Sequence, residues 1–162
     1  MTDARPHRRA LVTPRLKRTY DPATRSDGQR ILVERLWPRG MRKSDLEADA
    51  WLKEVAPSTE LRRWFGHRPE RWDEFRRRYR KELDANPDSW VSILDRGRKG
   101  TVTLLYSAHD VLHNGALVLR DYLIDQQRRQ GASRTPTRAR SVASEKKAGV
   151  QARRAASRSA PH

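Results

Sequence analysis

The chain has 162 residues, enough for one ordinary domain plus appendages, and it contains no cysteine. Disulfides, thiolate metal sites, iron–sulfur clusters and a cysteine nucleophile are thereby excluded. Hydrophobic residues make up 35% and no run nears the ~18 apolar residues of a spanning helix, so no membrane segment is expected.

Lys and Arg number 36 against 20 Asp and Glu, a formal net charge of +16. That charge is concentrated at the ends. Residues 1–18 carry +5 and residues 126–162 carry +9, which leaves +2 for the stretch between them. Residues 126–162 hold Val142 and Val150 as their bulky apolar side chains and no aromatic. Such a segment buries too little apolar surface to offset the entropy of ordering, and disorder is expected there. The reading is a flexible basic arm over 1–14, a folded body over 15–125 and a disordered basic tail over 126–162. The start, MTDARPHRRA, has no apolar signal core, so a cytoplasmic protein is expected.

In chain order, Arg15–Tyr20 reads as a short strand followed by a turn-rich loop, DPATRSDGQR. Ile31-Leu32-Val33 are consecutive apolar residues with β-branching, the mark of a strand covered on both faces. Pro38-Arg39-Gly40 ends it. Ser44 or Asp45 caps a helix whose apolar stripe is Leu46, Ala50, Trp51 and Val55, stopped by Pro57. Ser58 starts a short helix through Trp64 and Phe65 that ends near Gly66-His67. Pro69 opens a longer one, in which Trp72, Phe75, Tyr79 and Leu83 share a face bordered by Arg76, Arg77, Arg78 and Arg80. A helix over about 88–98 carries Trp90, Ile93 and Leu94. Thr101–Tyr106 is the clearest strand. Ser107-Ala108-His109-Asp110 has capping-box spacing, and a last helix with Leu112, Ala116, Leu119, Tyr122 and Leu123 on one side is expected to follow at once.

This order predicts the α/β class: a small, mainly parallel sheet flanked by helices in a single domain. Three strands are few for such a sheet. Either a fourth is hidden in the chain or a partner copy completes it, which keeps a homo-oligomer open.

Ligands of open α/β sheets bind outside the carboxyl ends of the strands. Two such ends carry unusual chemistry. At the first, Arg35, Trp37, Arg39 and Gly40 combine fork-shaped cationic donors with a glycine that admits close backbone approach. At the second, Ser107, Asp110, His113 and Asn114 offer a hydroxyl, a carboxylate, an imidazole and an amide at the start of a helix, which favours negative charge. If the two strands are neighbours, these groups form one pocket for a phosphate or carboxylate, with Trp37, Trp64 and Tyr106 as flat walls. Each residue also has a structural reading. Ser107 and Asp110 can merely cap a helix, Arg35 can pair with Glu34, Arg39 can be a solvated turn residue, and the tryptophans can be core. His109 and His113, four apart, would share a helix face, but no zincin pattern or third ligand accompanies them and no metal is expected. His113 is the better general acid or base. There is no dinucleotide fingerprint and no P-loop, so no cofactor is expected.

Several motifs in fixed order resemble a known family. They are RILVERLWPRG (30–40), WLKEVAPS (51–58), LRRWFGH (61–67), RWDEF (71–75) and the stretch from Thr103-Leu104-Leu105-Tyr106 to His113-Asn114. Together they resemble the YeaO-like bacterial proteins, the domain family of unknown function numbered 488, over about residues 15–124. The resemblance implies a small cytosolic α/β domain and supplies no reaction. Its recurring motifs fall on Trp37–Gly40, Gly66–His67 and His113–Asn114, which adds His67 to the pocket candidates as a second proton carrier. Relatives more often place lysine or another residue at position 109, which further weakens a histidine-pair metal site.

Three functional readings follow. The first is a binder of, or an enzyme acting on, an anionic small molecule, phosphate- or carboxylate-bearing or nucleotide-like, in which Arg35 and Arg39 clamp the anion, Ser107 completes the cradle and Asn114 orients His113. The second is a nucleic-acid-associated protein that holds DNA or RNA nonspecifically through residues 1–18 and 126–162. The third is a partner-binding module with no catalytic activity.

Overall fold

The computed structural model describes residues 9–133 of the chain. Of the arm expected over 1–14 and the tail expected over 126–162, residues 1–8 and 134–162 lie outside the described residues. By its internal contacts the chain divides into Met1–Arg128 and Arg129–His162, and the sheet and the site lie wholly in the first unit.

Four strands build one sheet: β1 (Arg15–Arg18), β2 (Gln29–Leu32), β3 (Ala50–Trp51) and β4 (Val102–Tyr106). Their spatial order is β1-β4-β2-β3 and every pairing is parallel. The helices are α1 (Lys43–Leu46), α2 (Thr59–Phe65), α3 (Trp72–Ala85), α4 (Val91–Lys99) and α5 (Gly115–Ser133). Parallel strands need crossovers; α1 lies in the one from β2 to β3, α2, α3 and α4 in the one from β3 to β4, and α5 follows the last strand. The expected α/β class with a small parallel sheet is what the chain forms. The fourth strand comes from the chain itself, with no partner copy required.

That strand lies where the apolar stripe predicts one helix over residues 44–55. The helix stops after four residues, and Glu47 at its end takes a left-handed conformation, φ 50°. The cause is tertiary. Asp49 N–H donates to the Arg30 carbonyl at 2.7 Å while Arg30 N–H donates to Asp49 Oδ2, also at 2.7 Å. This clamp draws Ala50 and Trp51 alongside Ile31 and Leu32, and Leu52 N–H continues the ladder onto the Leu32 carbonyl. A second departure is at the last helix. Residues 107–114 are loop, α5 begins only at Gly115, and Leu112 is 66% exposed rather than on its buried side. The helix then runs through residues 126–133, past the point where composition predicts order to end. Gln127 supports that stretch through two 2.8 Å bonds to the backbone of Val12, itself part of the core.

Strand alternation sorts β4 into two layers. Val102, Leu104 and Tyr106 join the main core with Ile31, Phe65, Phe75, Tyr79, Ile93 and the buried stripe of α5. Leu105 faces the other way and packs with Leu32 and Leu46. Gly28, just before β2, has to be glycine: its φ is +62° and a Cβ there would stand 2.2 Å from the Thr101 carbonyl oxygen.

A buried carboxylate beside that turn ties the sheet together. Asp27 accepts from Thr24 N–H at 3.0 Å, Thr24 Oγ1 at 2.8 Å, Lys17 Nζ at 3.1 Å and Arg30 Nη1 at 2.6 Å. Its carbonyl accepts from Thr103 Oγ1 on β4. Arg30 spends its remaining donors on the Leu46 carbonyl, which closes α1. Burial pushes the Asp27 carboxyl up, but the bonds from Thr24, Lys17 and Arg30 outweigh it and hold the group well below the usual carboxylate range.

Asp27→Asn strands the buried Arg30 guanidinium and is expected to cost about 3–5 kcal/mol in urea unfolding at pH 7. Because the folded value lies below the unfolded one, the contribution is full above pH about 4 and is lost as pH falls further. The gap between the two proteins therefore narrows in acid; a gap that widens on acidification refutes the assignment.

Candidate functional site

The parallel β2–β4 pairing, with Leu32 opposite Leu105, carries both chains out of the sheet side by side. Val33 N–H extends the ladder to the Leu105 carbonyl at 3.3 Å. One residue further, Glu34 Oε1 accepts from Ser107 N–H at 2.8 Å. Beyond this point the two loops separate and enclose a cleft of about 600 Å³, within the usual range for small-molecule sites. The far wall comes from the α2–α3 pair. Phe65 and Phe75 stack there at 4.4 Å between ring centroids and both line the cleft.

The cleft brings together Arg35, Trp37, Arg39, His67, Ser107, Asp110, His113 and Asn114. Three expected members lie elsewhere. Tyr106 is buried in the core, because the alternation that directs it inward ends one residue before the cleft starts. Trp64 sits under the guanidinium groups of Arg71 and Arg78, 5.1 and 4.3 Å from its ring centroid. Gly40 is exposed beyond the cleft's edge and provides the turn, φ +72°.

Each member has a defined setting. Arg35 forms no ion pair with Glu34; its Nε and Nη2 donate to the carbonyls of Pro57 and Ala56 at 3.1 and 3.2 Å. Arg39 is exposed, and its side chain has no hydrogen bond or ion pair among the described residues. Trp37 donates from Nε1 to the Met41 carbonyl and meets Trp51 edge-on at 5.2 Å. His67 follows the left-handed Gly66 and itself has φ +56°, which turns the chain out of α2 at the rim.

The loop 107–114 is organised by Asp110, not by a capping box on Ser107. Asp110 Oδ1 accepts from Leu112 and His113 N–H at 2.8 and 3.1 Å, and Oδ2 lies 2.7 Å from His113 Nδ1. The bond from His113 is the main reason that the Asp110 carboxyl lies below its ordinary value. The His113 ring is also held edge-on to Trp72 at 5.1 Å. Asn114, buried, caps α5 through Oδ1, which accepts from Leu117 N–H, while its Nδ2 donates to the Asp110 carbonyl. His109 and His113 share this loop rather than a helix face, and His109 Nδ1 is 3.2 Å from Arg18 Nη2. Among the described residues no group of three metal-ligating side chains occurs.

Sequence reasoning passed over Glu34, Arg62, Phe65 and Phe75, which also line the cleft. Glu34 was legible only as an ion-pair partner for Arg35. Its position two residues past Leu32 and its bond to Ser107 depend on the neighbouring strand. Burial pushes its carboxyl up, while Ser107 N–H, Arg62 and His67 pull it back. Arg62 and Phe65 belong to one short helix, and no local signal marks them as cleft-facing.

Fold and site thus define a parallel α/β domain with a cation-rimmed cleft at the carboxyl end of its sheet. Residues 14–142 match the family described as "Inactive DUF488-N3 subclade", and the chain belongs to that DUF488 family. It is 50% identical over 107 residues to the uncharacterised protein YeaO of Escherichia coli (strain K12), which takes 66% of this chain and 93% of YeaO. It is 54% identical over 109 residues to an uncharacterised protein of Mycobacterium bovis, and equally so to one of Mycobacterium tuberculosis (strain H37Rv), covering 67% of this chain and 92% of each relative. No solved structure gives a significant match. No described helix is long and apolar enough to cross a membrane.

Asn114→Ala removes the α5 cap and the tie to Asp110, and a loss of about 1–2 kcal/mol in chemical denaturation is expected. Asn114→Ser keeps a cap acceptor and loses less; equal losses for the two would show that the cap contributes nothing.

Proposed function

We propose that the domain binds a small molecule bearing a phosphate or carboxylate beside a flat apolar group, and holds it in the cleft without turnover. The observation that carries this reading is the state of the cleft's cations. Arg35, Arg39 and Arg62 all line it, and none is paired with a carboxylate among the described residues. The guanidinium groups of Arg39 and Arg62, at the cleft and without partners among the described residues, suit a planar anion. Phe65, Phe75 and Trp37 supply apolar contact. The word "inactive" in the description of the matching subclade favours binding over catalysis. In this reading His113, aligned by Asp110, and His67 act as hydrogen-bond partners of the anion rather than as proton carriers, while Ser107 and Asn114 keep the loop in place.

Titration with inorganic phosphate, sugar phosphates and nucleotides, followed by tryptophan fluorescence and calorimetry, tests the proposal. Replacing Arg39 and Arg62 together by Ala is expected to weaken binding at least about tenfold, since a hydrogen bond to a charged group contributes ~1.5–3 kcal/mol and exposure reduces that figure. Silence across the whole panel up to ~1 mM, an affinity of about 4 kcal/mol, would refute it.

A second property rests on charge. Residues 1–13 and 143–162, which carry +6 of the +16, lie outside the family match, while residues 1–18 and 126–162 together carry +14. We propose that they add a nonspecific hold on DNA or RNA through counterion release. Retention on duplex DNA at ~150 mM salt, lost when 134–162 is deleted so that α5 stays whole, is the expected result. Binding that disappears well below that salt would reduce the ends to solubilising extensions.

A further inference from the structure

Glu34 is an odd residue to find in a cleft rimmed by arginines. It lies at the mouth of the sheet, between Val33, which is 5% exposed, and Arg35. Its backbone carbonyl holds Trp51 Nε1 at 2.7 Å and its Oε1 holds Ser107 N–H at 2.8 Å. Those two bonds complete its structural work, since they join β2's exit to β3 and to the 107–114 loop. Oε2 is left over. It accepts no hydrogen bond among the described residues, yet no buried side-chain polar atom among them lacks a partner. Oε2 therefore keeps accessible surface, on a side chain that lines the cleft. Arg62 and His67 are close enough to act on its charge, but neither bonds it.

An acceptor of this kind, short of solvent and half-used, gains most from an N–H donor brought by a ligand. Phe65 and Phe75, 5% and 3% exposed, also line the cleft, as do the half-buried Trp37 and the exposed Arg39 and Arg62, which are unpartnered among the described residues. Acceptor, flat walls and cations together match the three parts of a nucleoside phosphate: an N–H edge, a planar ring and an anion. We propose that Glu34 is the specificity-determining residue of the cleft, its free oxygen accepting a hydrogen bond from an N–H group of a nucleobase, so that the ligand class is a nucleoside phosphate rather than a simple sugar phosphate. This inference rests on the anion-binding reading above and narrows it.

The deciding experiment compares ligands that stack alike but differ in donors. Adenosine and guanosine 5′-monophosphates carry N–H groups on the base, whereas purine ribonucleoside 5′-monophosphate has none. Ribose 5-phosphate lacks the base altogether. With the full chain in calorimetry, at least one amino-bearing nucleotide is expected to bind about tenfold or more tighter than the unsubstituted purine nucleotide. Glu34→Gln can keep its oxygen on Ser107 N–H and so turns a donor toward the free position. The preference should then vanish or reverse, while affinity for ribose 5-phosphate does not fall. Equal binding of amino-bearing and unsubstituted nucleotides by the unaltered protein overturns the proposal, as does a preference that survives Glu34→Gln. The ligand comparison needs no variant and decides even if Glu34→Gln fails to fold. If ribose 5-phosphate binds and no base improves on it, the anion reading stands and this one falls. If nothing binds, inorganic phosphate included, both fall.

Discussion

The parallel pairing of β2 with β4 is the constraint from which the cleft follows. These strands are about seventy residues apart in the chain, yet they lie side by side and in register from Gln29 opposite Val102 to Leu32 opposite Leu105. Parallel register means that both leave the sheet at the same end. The loop after one strand is rich in arginine and the loop after the other in imidazole and amide, so these unlike chemistries meet where their backbones diverge. The Glu34–Ser107 bond is the last rung of this ladder, made by a side chain where the backbone can no longer reach.

Two carboxyl groups sit near opposite ends of β2, and their environments are opposite. Asp27, before the strand, is surrounded by donors and held ionised, and its bonds collect β1, β2, β4 and α1 into one unit. Glu34, after the strand, is half-buried with one backbone donor and with cations nearby but not in contact, and is pushed the other way. A well-satisfied carboxylate is a fastening. A partly satisfied one facing a cleft has capacity left for a ligand. The strand between them is short and fully packed, with Ile31 and Leu32 wholly buried, so the two groups are held at a fixed separation.

The body and the ends of the chain differ in charge. The body is nearly neutral in sum, and within it arginines are mostly committed. Arg30 is buried against Asp27, Arg35 holds two carbonyls, Arg71 and Arg78 cover Trp64, and Arg80 pairs with Asp125. The guanidinium groups of Arg39 and Arg62 have no such partner among the described residues, as is also true of Arg25, Arg63 and Arg68, which do not line the cleft. Arg39 and Arg62 do.

What the sequence by itself determined was local. The α/β class, the buried strand at Ile31–Val33, the Ser58 cap, the Gly66 stop and the α3 stripe of Phe75, Tyr79 and Leu83 all follow from periodicity and capping chemistry within one segment. The sequence also singled out the two strand ends whose loops line one cleft. Only the tertiary structure decided the rest. A helical stripe at Ala50 and Trp51 became a strand because Arg30 and Asp49 bond each other across nineteen residues. Tyr106 went to the core and Ser107 to the cleft because alternation acquires a direction only once the sheet has two covered faces. Glu34 became a cleft residue because its neighbour is Ser107, and strand order is set by long-range packing that no single segment encodes.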